Sequence, residues 1–225
     1  MVLGMHRSGT SALTGVLRQS GLYLGAALDA PIARNPTGLQ EPAAVLHMHE
    51  DLLNANGGCW HAPPDQVTWD KLHCAVRDLF IESRQGTGLW GFKDPRTLLV
   101  IDGWIEVLPR WSAVGIFRAP QAVARSLMAR NGLQEEACYR LWKVYNTRLL
   151  QLHRLYNIPL VEFRSDTETT RADILRVVEA LGLRPDVSLL DGRIPTHNAA
   201  NDPETVPEPL QGLWRDLQAA THVAA

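Results

Sequence analysis

Short runs of apolar residues alternate along this chain with longer segments in which apolar residues recur at helical spacing. The short runs are continuous and are bounded by turn residues, which is typical of buried parallel strands. They lie at Met1–Leu3, Leu89–Phe92, Ala113–Phe117 and Pro159–Phe163. Strands that alternate with helices predict an α/β fold in three layers, with a central, mostly parallel sheet flanked by helices.

The helices and loops follow from the apolar periodicity and from the positions of Gly and Pro. Helices are predicted at Thr10–Ser20, from Pro42 to about Gly57, and at Trp69–Arg84, Pro120–Asn131, Leu133–Tyr156, Arg171–Leu181 and around Leu210–Leu217. Gly21–Glu41 is rich in Gly, Pro and Asn, which predicts a loop, and Asp191–Pro209 is polar and Pro-rich. No repeat or linker interrupts this pattern, so we expect a single domain over residues 1–225.

Composition and charge exclude several classes of protein. The chain is 45% hydrophobic, enough for one substantial core, and its 22 basic and 24 acidic residues give a net charge of −2. This charge argues against a nucleic-acid partner. The three scattered cysteines lack the spacing of a disulfide framework or a zinc site. No run approaches the roughly 18 apolar residues of a membrane span. We therefore expect a cytoplasmic protein without a nucleic-acid or membrane partner.

A glycine-rich turn links the first predicted strand to the first predicted helix. Gly4–Ser11 reads Gly-Met-His-Arg-Ser-Gly-Thr-Ser and fits the P-loop spacing G-x-x-x-x-G-x-[ST]. In such a loop, backbone N–H groups and the helix dipole bind phosphate oxygens. Thr10 occupies the position of the lysine that NTPases use on a triphosphate, and Arg7 supplies a cation instead. The sequence predicts a P-loop-like anion site, with a plain strand–helix turn as the alternative.

Two further predicted strands end in a cation. Lys93 follows the run that ends at Phe92, and Arg118 follows the run that ends at Phe117. Ligands of open α/β sheets bind outside the carboxyl ends of the strands. Together with the glycine-rich turn, these strand ends predict one crevice that binds an anion. The alternatives are a surface ion pair for Arg118 and an exposed helical position for Ser126.

These segments, in this order, resemble the bacterial branch of the nucleotide-dependent sulfotransferase family. The resemblance rests on Gly4–Ser11, Asn35–Glu41, Lys93–Arg96, and Arg118 with Ser126. It implies that the donor is 3′-phosphoadenosine 5′-phosphosulfate (PAPS), that the product is adenosine 3′,5′-bisphosphate (PAP), and that no metal takes part. It also implies that Arg118 and Ser126 bind the 3′-phosphate. The residues implied to bind the 5′-phosphosulfate are Arg7, Ser8, Gly9, Thr10 and Ser11.

Sulfuryl transfer requires a base for the acceptor hydroxyl. Glu41 is our candidate because it closes a loop just before a helix, and because the resemblance implies a glutamate in this role. His6 and His47 are alternative bases. The alternative role for Glu41 is a favourable interaction with the dipole of the following helix.

The same reaction requires charge neutralisation on the leaving-group oxygens. Lys93, at a strand end, is predicted to meet the leaving oxygen, and with Arg7 it would replace a metal. Asp94 and Arg96 are predicted to pair with each other or to orient Lys93, with a purely structural role as the alternative. The catalytic residues we predict are therefore Glu41, Lys93 and Arg7.

Two segments depart from the family pattern. Phe163 stands where the family commonly has a tyrosine on the adenine side of the site, so stacking is retained but a hydrogen bond is lost. Near the carboxyl end, Arg193–His197 is all that corresponds to the Gly-rich basic segment of eukaryotic members. The residues that cover the 3′-phosphate are therefore unassigned.

Two other functions compete with sulfuryl transfer. In a magnesium-dependent P-loop kinase, Asp94 and Ser11 would bind the metal, but the loop lacks the kinase lysine. A catalytically inactive nucleotide-binding module would not require both Glu41 and Lys93. For a sulfotransferase, we expect the acceptor to be a hydroxyl of a small molecule or glycan, and Trp60 is a candidate to line its pocket.

Overall fold

The computed structural model describes residues 1–30, 38–164, 166–186, 188 and 206–221. Within these residues, three parallel strands form a sheet in the order β1 (Val2–Leu3), β2 (Val114–Phe117) and β3 (Leu160–Glu162). Leu3 pairs with Gly115 across β1 and β2, and Phe117 pairs with Glu162 across β2 and β3. The predicted parallel sheet is therefore confirmed.

The strands are connected by helices. In chain order the helices within the described residues are α1 (Thr10–Gln19), α2 (Ala43–Ala55), α3 (Lys71–Glu82), α4 (Thr97–Val100), α5 (Asp102–Ile105), α6 (Pro120–Asn131), α7 (Glu135–Tyr156), α8 (Thr167–Ala180) and α9 (Glu208–Ala220). None of them is long and apolar enough to cross a lipid bilayer. The short helices α4 and α5 were not predicted. Helix α8 begins earlier than predicted because Asp166 caps it, accepting from the N–H groups of Glu168 and Thr169.

Both faces of the sheet are covered, because successive residues of each strand point to opposite sides. On one face, Val2 and Val161 lie in a buried cluster with residues of α1 and α8. On the other face, Leu3 and Leu160 lie in a cluster with residues of α6, α7 and α9. The structure is thus the three-layer α/β fold that the hydrophobic pattern predicts.

The strand predicted at Leu89–Phe92 is only partly formed. The Val2 N–H donates to the Phe92 carbonyl at 3.1 Å, and a parallel bridge joins Val2 to Lys93. On the other side, a parallel bridge joins Tyr23 to Trp90. Within the described residues, the residues before Phe92 have no partner in β1, and Leu89 is exposed instead of buried. The segment still brings Lys93 to the same edge of the sheet as the carboxyl ends of β1 and β2.

Candidate active site

The loop between β1 and α1 has the backbone geometry of an anion cradle. Arg7 and Gly9 both have positive φ, at 68° and 91°, a feature of the concave loops whose N–H groups bind anions. A Cβ on Gly9 would lie 2.5 Å from the Phe163 ring, and one on Gly4 would collide with the Ile116 carbonyl oxygen. Both glycines are therefore required by close packing. Helix α1 begins at Thr10, so its first N–H groups face this loop.

Ser8 is the residue of this loop most directly suited to bind a ligand. It has no exposed surface, and its hydroxyl has no hydrogen-bond partner in the part of the chain that the structure describes. A buried hydroxyl without a partner costs free energy. This cost is recovered if an anion in the loop accepts a hydrogen bond from the Ser8 hydroxyl.

Arg7, Ser126 and Arg118 come together beside the loop. The Arg7 Nε donates to the Ser126 hydroxyl at 2.7 Å, and the Arg118 Nη1 lies 3.5 Å from the Arg7 carbonyl oxygen. The two residues implied to bind the 3′-phosphate are thus linked through Arg7. Because the Ser126 hydroxyl accepts from Arg7, it contacts the guanidinium of the loop directly.

Arg118 is a partly buried cation at the carboxyl end of β2. No carboxylate of the described residues pairs with it. Burial lowers its pKa, and the nearby positive charge of Arg125 lowers it further. Its guanidinium carbon lies 5.6 Å from the centre of the Phe163 ring. Such an environment favours a bound anion.

The Phe163 ring packs against both the loop and Arg118. It packs under both Gly9 and Arg118, and only 8% of the residue is exposed. The ring that sequence reasoning assigned to nucleotide stacking is therefore engaged by the protein itself in this structure.

Lys93 and Glu41 form a buried pair next to the loop. The Lys93 Nζ donates to Glu41 Oε1 at 2.6 Å, and their side chains are 1% and 6% exposed. Lys93 also lies 3.3 Å from the Ser11 hydroxyl, which donates to the Leu39 carbonyl at 3.1 Å. Two of the predicted catalytic residues are thus in contact, and Ser11 ties both to the glycine-rich turn Gly4–Ser11, which we name the phosphate loop after its predicted ligand.

Glu41 is held by the short segment before α2. Gly38 and Gln40 adopt positive φ, and the Leu28 N–H donates to the Glu41 carbonyl at 2.8 Å. Pro42 is the N-cap of α2, so Glu41 lies just outside the helix. Asn35, Pro36 and Thr37 of the same motif lie outside the described residues, as does Arg193–His197.

The electrostatic environment separates the candidate bases. Burial raises the pKa of Glu41, against the opposing positive charge of Lys93. Burial also lowers the pKa of Lys93. The pKa of His6 is lowered to about 3, first by burial and then by the charge of Arg96. The ideal base has a pKa near the working pH, so Glu41 is shifted toward this value and His6 away from it.

The two histidines of α2 lie in different environments. The His47 side chain is 73% exposed and lies 3.9 Å from Glu50. His49 is fully buried, with Nδ1 2.8 Å from Asp94 Oδ2 and Nε2 accepting from the Trp104 indole at 2.9 Å. His47 is therefore a surface residue, whereas His49 has both ring nitrogens engaged.

Behind the pair lies a polar network that sequence reasoning anticipated only in part. Arg96 donates from Nη1 to Asp94 Oδ1 at 2.9 Å, as predicted, and from Nη2 to Glu50 Oε1 at 2.7 Å. His49 and Trp104 complete the network and were missed. The signal was present, since His49 shares the apolar stripe of α2 with the buried residues Val45 and Leu52.

Trp60 packs against His6 of the loop. Its ring centre is 4.5 Å from that of His6, and the Tyr145 hydroxyl donates to the Trp60 carbonyl at 2.9 Å. Helix α7 thereby anchors the segment after α2 against the phosphate loop. Trp60 therefore lies next to the predicted site, where a residue that lines the acceptor pocket is expected.

Comparison with known proteins defines the fold. The chain aligns with the sulfotransferase domain of the Synechococcus PCC 7002 olefin synthase at a TM-score of 0.55 and 19% identity, over 98% of this chain and 90% of that one. TT1252 from Thermus thermophilus aligns at a TM-score of 0.45 and 20% identity, over 80% of this chain and 95% of that one, too distant to define the fold. No protein-family model and no curated protein matches the sequence. The chain has a sulfotransferase-like fold.

Proposed function

We propose that this protein is a sulfotransferase that moves a sulfuryl group from PAPS to an acceptor hydroxyl. The observation that carries the proposal is the buried Lys93–Glu41 pair, in contact with the phosphate loop through Ser11. The proposed base Glu41, the cation Lys93 and the anion cradle of the loop are then in direct contact with one another through Lys93 and Ser11. The sulfotransferase-like fold supports the same conclusion.

The residues of the loop fit the donor. Ser8 offers a buried hydroxyl, the positive φ of Arg7 and Gly9 gives the backbone the concave form of an anion cradle, and Arg7 supplies a cation. Thr10 and Ser11 open helix α1, where N–H groups and the dipole favour an anion. Arg118 and Ser126, which meet at Arg7, would hold the 3′-phosphate. The donors of the loop, together with Arg118 and Ser126 next to them, suit a nucleotide that carries phosphate at both ends of its ribose.

Glu41 is assigned as the base and Lys93 as the group that stabilises the leaving oxygen. Glu41 takes the proton of the acceptor hydroxyl, whose oxygen then forms the new bond to sulfur. The donor supplies the sulfuryl group, and its sulfur–oxygen bond to the 5′-phosphate breaks. Lys93 and Arg7 offset the negative charge left on that phosphate. Positioning and fixed charge supply most of the catalysis in such transfers.

We further propose that the acceptor is a small-molecule or glycan hydroxyl, and that the enzyme works in the cytoplasm without a metal. Trp60 beside His6 offers an aromatic wall for a ring-bearing acceptor. The three cysteines are free, in keeping with a reducing compartment.

The arrangement of Asp94 and Ser11 disfavours the kinase alternative. Both Asp94 oxygens are already bonded to His49 and Arg96, and the Ser11 hydroxyl lies 3.3 Å from the Lys93 ammonium. A magnesium ion at this position would meet a cation instead of the carboxylate and hydroxyl that a kinase provides.

Nucleotide preference tests the proposal. By titration calorimetry, PAP is expected to bind without metal and more tightly than ATP with magnesium, because the site offers a second group of donors for a 3′-phosphate. Adenosine 5′-phosphate is the matched control, since it lacks only that phosphate, and it should bind more weakly than PAP. Tight binding of ATP with magnesium, together with weak binding of PAP, would refute the assignment.

The substitution Arg118→Ala tests the role of the strand-end arginine. It is expected to weaken PAP binding by about 10- to 100-fold, because hydrogen bonds to charged groups contribute about 1.5–3 kcal/mol each. The adenosine 5′-phosphate affinity should change much less. The control is Arg154→Ala, which removes an exposed arginine paired with Asp216 on the body of the protein. Equal losses for both nucleotides would contradict a contact with the 3′-phosphate.

A further inference from the structure

A fully buried carboxylate, Asp94, anchors a chain of hydrogen bonds behind the catalytic pair. The Trp104 indole can only donate a hydrogen bond, so the His49 Nε2 that receives it must be the unprotonated nitrogen. The hydrogen of His49 is then on Nδ1 and is donated to Asp94 Oδ2 at 2.8 Å. Asp94 is therefore fixed in position by a neutral histidine of defined tautomer.

The other oxygen of Asp94 holds Arg96. It accepts from the Arg96 Nη1 at 2.9 Å and from the Arg96 backbone N–H at 3.1 Å, while Glu50 accepts from Nη2 at 2.7 Å. The same Nη1 is 3.9 Å from Glu41 Oε2, within the range of an ion pair but beyond hydrogen-bond distance. Asp94 and Glu50 thus hold the Arg96 guanidinium at a distance from which it does not hydrogen-bond to Glu41.

This separation matters because arginine and carboxylate groups prefer direct, bidentate contact. Lys93 already occupies Glu41 Oε1. If Arg96 moved onto Oε2, both oxygens of Glu41 would be bound to cations. A carboxylate held in this way has little affinity for a proton.

We infer that Asp94, anchored by His49, is a positioning residue that holds Arg96 away from Glu41 and so leaves Oε2 free to accept a proton. The inference rests on the function proposed above, in which Glu41 is the base. It assigns a role to the Lys93–Arg96 segment that goes beyond the contact of Lys93 with the donor.

The titratable and charged groups around Glu41 come from the segment Lys93–Arg96, from the phosphate loop and from α2. Lys93 and Arg96 lower its pKa, whereas Asp94 raises it. The groups that surround this set are His6 from the phosphate loop and His49 and Glu50 from α2. Removal of the Asp94 charge alone would lower the pKa of Glu41, so a shift of the pH profile does not by itself reveal movement of Arg96. The decisive measurements are the position of Arg96 and the rate well above the pKa.

The substitution Asp94→Asn tests the inference. In a crystal structure of this variant without nucleotide, the Arg96 guanidinium is expected within hydrogen-bond distance of Glu41. The high-pH plateau of kcat is expected to fall on the order of 10- to 100-fold, within the total that a base contributes, roughly 10²–10⁴. The affinity for PAP should be retained. Asp102→Asn is the control, because Asp102 pairs with Arg148 on the surface.

A second substitution separates movement of Arg96 from general damage. In Asp94→Asn with Arg96→Gln, no guanidinium remains to occupy Glu41, so part of the plateau rate should return. If Asp94→Asn does not fold, His49→Gln is used in its place, because it removes the Nδ1–H donor that anchors Asp94. His49→Asn is the matched rescue variant, because its side-chain amide N–H can donate to Asp94 from the position of Nδ1.

Three results would overturn the inference: an unmoved Arg96 in the crystal structure, a normal plateau rate in Asp94→Asn, or a double variant no faster than the single one. If the unaltered protein transfers no sulfuryl group, the proposed function fails. The crystal structure of Asp94→Asn would still report whether Asp94 holds Arg96 away from Glu41.

Discussion

Replacement of Glu41 by Gln is expected to lower the rate of sulfuryl transfer by about 10²–10⁴-fold, the usual contribution of a general base. Glutamine keeps the size of the side chain and can still accept a hydrogen bond from Lys93, but it cannot take a proton. Affinity for PAP should remain, because the residues proposed to bind its phosphates are Arg118, Ser126 and the loop, not Glu41. The measurement is PAP release in the presence of an acceptor hydroxyl that the unaltered protein sulfates, together with PAP titration calorimetry.

The pH profile gives this prediction a second readout. The base works in its deprotonated form, so the rate rises with pH through the pKa of Glu41. Because burial raises that pKa, the acid limb should lie above the ordinary glutamate value of about 4.3. In Glu41→Gln the limb should disappear along with the activity.

A matched control is available on β3. Glu162 is also buried and also paired with a cation, Arg164, at 3.0 Å. Glu162→Gln should retain the transfer rate if loss of a buried ion pair is not itself the cause. A Glu41→Gln variant that transfers as fast as the unaltered protein would remove Glu41 from the mechanism and return the role of base to a histidine.

The residues of the site that could be predicted were those set by local pattern. The Gly4–Ser11 spacing predicted the loop, and cations after two apolar runs predicted Lys93 and Arg118 at one edge. Parallel strands bring their carboxyl ends together, so the sequence positions of these residues were enough. The structure brings Arg7, Arg118 and Ser126 into one group of contacts.

The hydrogen-bond partner of each side chain in the site could not be predicted from such local patterns. Ser126 was assigned beside Arg118, yet its hydroxyl contacts Arg7. His49 and Trp104 are 55 residues apart in sequence, and only the packing of α2 against α5 brings them together. Such contacts depend on helix orientation, which hydrophobic periodicity predicts only as a buried face.

The strand at Leu89–Phe92 illustrates the same limit. Its apolar character predicted burial on both faces, but the extent of pairing depends on the neighbouring strand. Within the described residues, this segment is joined to its neighbours only by bridges from Val2 to Lys93 and from Tyr23 to Trp90. Such pairing depends on two segments at once, and it cannot be inferred from the residues of either alone.

The substitution Gly4→Ala is expected to destabilise the protein by about 1–3 kcal/mol or more, the usual cost of overpacking a core. A Cβ at this position would collide with the backbone carbonyl oxygen of Ile116 in β2 and with the Thr10 side chain. Backbone atoms of a paired strand cannot rotate away, so β1 and the phosphate loop must shift. Urea unfolding followed by tryptophan fluorescence measures the loss.

The matched control for Gly4→Ala is Gly212→Ala in α9, where an added Cβ meets nothing within 4 Å. There alanine should stabilise the protein by roughly 0.5–1 kcal/mol, because glycine is entropically unfavourable in a helix. The two substitutions add the same methyl group with opposite expected signs. Since the shifted loop also carries Arg7 and Ser8, Gly4→Ala should weaken PAP binding, whereas Gly212→Ala should not. If Gly4→Ala left both stability and PAP affinity unchanged, β2 could not lie close enough to this turn to shape an anion cradle.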